Sequence, residues 1–149
     1  MPIDDATTAG PPRLHLVTLG VADVAAATAF YERIGLGRAP ASNPNVSFFQ
    51  LGAVVLSLYG RDALAEDAGV AAGGGGFSGV TLAWNQPSPA AVDAACAAMI
   101  AAGAQDIKPP AATFWGGYGG YVADPDGHLW EIAHNPFFPF DDTGALRLP

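Results

Sequence analysis

Cysteine is almost missing: Cys96 is the single one in 149 residues. No intrachain disulfide can form, and no thiolate cluster exists for zinc or iron–sulfur. The AACAAM setting reads as a buried helix face, because nothing local would lower the thiol pKa. Basic residues are scarce too: six Lys and Arg against fourteen Asp and Glu leave a formal net charge of −8. That balance argues against nucleic acid and against an anionic membrane surface as partners. Only 13% of residues are charged, which is low for a soluble surface. No run approaches the roughly 20 apolar residues of a membrane span. The opening MPIDDATTAGPP is acidic and polar, the opposite of a signal peptide. A cytoplasmic protein is expected, with its first dozen residues as a loose arm.

Apolar residues and turn formers are abundant instead. Half the chain is apolar, ample for a core, and Gly and Pro number 19 and 13. The length suits one compact domain over 1–149 or two fused small halves. Residues 14–21 read as a strand. One face carries His15, Val17, Leu19 and Val21, the other Leu14, Leu16, Thr18 and Gly20. Asp23 fits a helix N-cap, Val24, Ala27, Tyr31 and Ile34 form a helical stripe, and Gly35 fits the position past its end. Phe30 and Tyr31 read as helix-to-sheet packing. Strands are predicted over 46–51 and 54–59, turning at Gly52.

The second half repeats the plan. Residues 80–84 read as a strand, Ser88 and Pro89 as a helix start, and the Ala-rich run to Ala102 as a helix closed by Gly103. A strand is predicted to start over 106–108, before Pro109 and Pro110. Residues 118–123 and 128–134 form a predicted hairpin around Asp124, Pro125, Asp126 and Gly127. The expected organisation is module one at about 12–60, a linker at about 61–77, module two at about 78–135, and a tail over 136–149. The linker includes Gly73–Gly76, which lacks the Lys-Ser/Thr signature of a phosphate loop.

The most informative segment is WGGYGGYVADPDGHLWEI, residues 115–132. It places one carboxylate, Glu131, inside an apolar strand, where it needs water, a donor, a cation or a metal as partner. Burial there would favour the protonated form and suit a general base, although neither strand of the hairpin supplies a Lys or Arg. Asp124 and Asp126 are read as turn formers. Phe114, Trp115, Tyr118 and Tyr121 cluster around glycine pairs and can wall a trough beside Glu131. The tail FFPFDDTGALRLP is expected to pack on a sheet edge or a subunit boundary.

Two pieces, LVTLGVADVAAATAFYERIGL and GYVADPDGHLWEIAHNPF, resemble the vicinal oxygen chelate superfamily, also called glyoxalase/bleomycin resistance protein/dioxygenase. The resemblance covers about residues 12–138 and implies an α+β fold. Two βαβββ modules would form a concave mixed sheet with helices on the outer face. It also implies four metal-ligand positions in catalytic members. The first falls at Leu16, with His15 adjacent but on the other strand face. The second falls at Leu56, beside Ser57, and the third at Gly79 or Ser78. Glu131 alone fills its position. His128 shares a face with Trp130 and Ile132, so it should diverge from Glu131, and His134 stands at the strand end.

One carboxylate cannot hold a divalent ion, which takes several converging donors at about 2.0–2.4 Å. The expectation is therefore metal-independent binding or sequestration of a small, largely apolar molecule, without a cofactor. Thr18, Leu56, Gly79, Thr81, Trp115, Tyr121 and Glu131 would line or rim the trough. The alternative is a glyoxalase-like lyase or isomerase with one divalent metal, using Glu131 catalytically and His15 as a further ligand. A structural role, with Leu16, Leu56 and Leu129 filling the trough, is a third possibility. A homodimer is expected in each case, with no nucleic acid and no membrane as partner.

Overall fold

A computed structural model describes residues 9–149; most of the expected N-terminal arm, residues 1–8, lies outside the described residues. In the first half, β1 (Leu16–Val21) is followed by α1 (Val24–Arg33), β2 (Val46–Leu51) and β3 (Val54–Gly60). Helix α1 starts where the Asp23 side chain accepts from the Ala26 amide at 3.1 Å. Its buried residues, Ala27, Thr28, Phe30 and Tyr31, lie against the sheet, as the stripe requires. The sheet order is β1-β3-β2, with β1 parallel and β2 antiparallel to β3. Between α1 and β2 the chain makes two isolated bridges, Arg38 to Phe49 and Asn43 to Val46, in place of a further strand.

The second half holds β4 (Leu82–Asn85), α3 (Pro89–Ala102), β5 (Gln105–Ala112), β6 (Tyr118–Ala123) and β7 (Leu129–His134). Ser88 caps α3 through the Ala91 amide at 3.1 Å, Pro89 opens it, and Gly103 closes it at φ 121°. The order is β4-β7-β6-β5. The two sheets are thus separate hydrogen-bonded units, each with its helix on one face. They form the α+β arrangement of paired βαβββ modules.

Three local expectations shift. The segment read as linker from 61 contains a helix, α2 (Arg61–Ala68), ended by Gly69 in the left-handed region at φ 73°. Ala, Leu, Glu and Arg carry it despite a weak apolar stripe. Strand β5 runs through Pro109 and Pro110, with register shifts between Asp106 and Lys108 and between Lys108 and Ala111. Proline is tolerated because β5 is the sheet edge, where a missing N–H costs no ladder bond. The strand predicted from Val80 begins at Leu82, so Thr81 and Gly79 precede it.

Core residues come from both halves, among them Leu19, Val21, Phe30, Tyr31, Phe49, Leu58, Val92, Met99, Val122 and Ile132. Cys96 belongs to this core, and burial pushes its thiol pKa up. Polar bonds tie the halves together as well. Arg33 donates from Nε and Nη2 to the Ala102 carbonyl at 3.0 and 2.8 Å, at the end of α3. Tyr31 donates to Asp124 Oδ2 at 2.7 Å and accepts from Trp130 Nε1 at 3.1 Å. Asp126 Oδ1 accepts from the Ala22 amide at 2.8 Å, and His128 Nε2 meets the Gly20 carbonyl at 2.9 Å.

Candidate functional site

Cross-strand partners share a sheet face, so the register sorts the candidate residues. In the second sheet Glu131 stands between Ala83 on β4 and Tyr121 on β6. The neighbouring positions Trp130 and Ile132 alternate to the α3 side, where Ile132 is fully buried. Tyr121 and Glu131 are both half-buried. Burial raises the Tyr121 phenol pKa, and the Glu131 carboxylate raises it further through its charge and as an acceptor. The phenol is therefore held protonated beside a carboxylate. That pair can receive a donor group at Glu131 and offer or accept a hydrogen bond at Tyr121.

Next along the same row, Lys108 on β5 is in register with Tyr121. Sequence reading considered only the hairpin strands for a cation and missed this one, because a bulged edge strand interrupted by two prolines gives no clean alternation. Lys108 is exposed.

In the first sheet Thr18 pairs with Ser57, and Ser57 with Phe48. These positions form the face away from α1. Leu56 is the correction: it pairs with Val17 and Phe49, is 2% exposed, and belongs to the core on the α1 side. Counting from Gly52 put Leu56 where Ser57 stands, and one residue of slip changes the face. Gly79, at φ 82°, and Thr81 are exposed and lie before β4, outside the sheet. Trp115 sits in the connection from β5 to β6. Its ring lies over Gly117 so closely that no Cβ fits there, and the Phe137 ring packs near Gly116. Trp115 thus covers the hairpin's own backbone.

The structure brings Tyr121 and Glu131 together and leaves the other candidates apart. His15 precedes β1 and is exposed, with its carbonyl accepting from the Val55 amide at 2.8 Å. His128 and His134 are committed to backbone carbonyls, Gly20 and Gln86, the latter at 3.0 Å. Among the described residues no group of three His, Cys, Asp or Glu is placed to hold a metal ion. The donor set at the four family positions, Leu16, Ser57 with Leu56, Gly79 and Glu131, does not fit a divalent cation.

No protein of curated function matches the chain. A glyoxalase-related enzyme from Fulvimarina pelagi is 36% identical, with a TM-score of 0.83 over 91% of this chain and 97% of that one. A glyoxalase/bleomycin resistance protein/dioxygenase from Nocardioides is 27% identical, with a TM-score of 0.68 over 86% of each chain. A lactoylglutathione lyase from Agrobacterium tumefaciens, 22% identical over 89% of this chain and all of that one, shares the fold at a TM-score of 0.66. The family model for the Glyoxalase/Bleomycin resistance protein/Dioxygenase superfamily matches residues 13–132, and the chain belongs to that superfamily.

Proposed function

We propose that the chain binds a small molecule on the sheet face carrying Tyr121 and Glu131, without a resident metal. The observation that carries this reading is the cross-strand pairing of a protonated phenol with a half-open carboxylate. The ligand presents a donor to Glu131 and lays its apolar part along the flanking sheet. Thr18, which is exposed, offers a hydroxyl on the corresponding face of the first sheet. A homodimer completes the site. Leu14, Leu16 and Phe114, exposed by 65%, 48% and 103%, support an apolar contact between copies. No helix among the described residues is long and apolar enough to cross a membrane, and the acidic composition suits the cytoplasm.

Native mass spectrometry of gently purified full-length protein tests the reading by reporting subunit count, metal and retained ligand together. A dimer without stoichiometric metal is expected. One tightly held metal ion per chain, lost in Glu131→Ala, overturns it.

A second reading, a lyase or isomerase acting on a small oxygenated substrate, is favoured by the glyoxalase-related enzyme at 36% identity and by the retained Glu131. In it Glu131 moves a proton. Activity on such a substrate that survives Glu131→Ala would remove that role.

A further inference from the structure

We propose that the cleft beneath the C-terminal hairpin is a second binding site, for a small uncharged apolar molecule, with the hairpin as its cover. The cleft measures about 540 Å³, within the usual range of ~300–1,000 Å³ for small-molecule sites. Its walls come from both halves: Ile34 and Leu36 after α1, Leu51 at the end of β2, Trp84 on β4, Met99 on α3 and Trp130 on β7. Neither Glu131 nor Tyr121 lines it.

Asn85 supplies the wall's one amide side chain, and no wall side chain carries a charge. A charged ligand would lose its hydration there without a counter-charge. An aryl or alkyl body with at most one hydrogen-bonding group suits it. The cleft is partly open to solvent: Met99 is its one fully buried wall residue, and half-exposed Trp84, Phe140 and Leu146 leave apolar surface that a guest can cover. Apolar walls hold water poorly.

The cover is self-contained. Phe140 bridges to Leu146, and the Arg147 amide donates to the Pro139 carbonyl at 2.9 Å. Asp141 binds the turn from within. It accepts from Thr143 N at 2.8 Å, Thr143 Oγ1 at 2.6 Å, Ala145 N at 3.1 Å and Arg147 Nε at 2.8 Å. Among the described residues every hydrogen bond of 139–147 stays inside that segment. Phe140, Gly144 and Leu146 meet the cleft. The hairpin can therefore lift as a unit without breaking a bond to the body.

The three tryptophans supply an internal control, because Trp84 and Trp130 line the cleft and Trp115 does not. The test titrates full-length, 15N-labelled protein with N-phenyl-1-naphthylamine, an uncharged apolar probe, and follows the indole N–H resonances. Saturable binding that shifts Trp84 and Trp130 and leaves Trp115 in place is expected. Leu36→Trp, which fills the cleft, should weaken the probe by at least about ten-fold through lost apolar burial. Glu131→Gln should leave it unchanged, which separates this site from the face of Tyr121 and Glu131. Removing residues 139–149 should speed release of the probe. Non-saturable binding, or shifts confined to Trp115, overturns the proposal. A dimer that Leu36→Trp dissociates, with no probe bound to the wild type, assigns the cleft to a second copy and overturns it equally. The wild-type titration stands whether or not a variant folds.

Discussion

Of the three carboxylates on the β6–β7 hairpin, Asp124 and Glu131 stand seven residues apart and are used in opposite ways. At the turn, Asp124 is 3% exposed, and both its oxygens are engaged. Oδ2 accepts from Tyr31, and Oδ1 accepts from the Asp126 and His128 amides at 3.0 and 2.8 Å. In the middle of β7, Glu131 is half-open with a phenol across the strand pair. A fully engaged carboxylate holds structure, because any change orphans its donors. A partly engaged one has acceptor capacity left for something arriving from outside. The hairpin's spare acceptor capacity therefore lies on the open face, and its turn joins the halves.

Asp124→Ala should break the comparison hardest. It strands the Tyr31 hydroxyl and two amides in a buried place, at a cost of about 3 kcal/mol or more. For a chain of this length that corresponds to a fall in Tm of roughly 6–12 °C, read by calorimetry. Asp124→Asn keeps one acceptor and should lose about half as much. A Tm unchanged in Asp124→Ala would mean that the turn does not join the halves.

Tyr31→Phe comes next, because it leaves Asp124 Oδ2 and Trp130 Nε1 without their partner. A loss of about 1–3 kcal/mol follows, measured by urea unfolding. The same residue contributes to stability in alkali. Burial raises the Tyr31 pKa first, and the Asp124 charge and hydrogen bond raise it further. The folded chain then keeps a proton that the unfolded chain gives up at about pH 10. Stability from this group is whole below that pH and falls as pH rises above it. Tyr31→Phe should flatten the decline above pH 10. An equally steep decline in the variant would assign it to other groups.

Much of this architecture was legible because it is periodic or punctuated. The stripe of α1, the Asp23 and Ser88 caps, Gly103 and the DPDG turn each act within a few residues. The role of Asp124 was half-legible: the turn is local, but its Tyr31 partner lies 93 residues away and leaves no mark in spacing. Helix α2 was hidden by its short length and thin apolar stripe, and the continuation of β5 past Lys108 by its two prolines. At the site, the outward direction of Glu131 followed from strand alternation and stands in the register with Tyr121. Leu56 failed because an offset counted from a turn carries a one-residue error, and in a strand that error is a whole face.

The smallest effect on stability should come from Glu131→Gln, and it sharpens the comparison most. The amide keeps the side chain's size and one acceptor, and the site is half-open, so unfolding free energy should change by less than about 0.5 kcal/mol. Tyr121 should respond instead. Desolvation, the Glu131 charge and the Glu131 acceptor all raise its pKa, and glutamine removes the charge among them. The phenol midpoint, followed at Tyr121 by NMR, should move down toward the ordinary tyrosine value. Were Glu131→Gln to cost as much as Asp124→Ala with the Tyr121 midpoint unmoved, Glu131 would be a structural group like Asp124. The open face would then have no acceptor to spare.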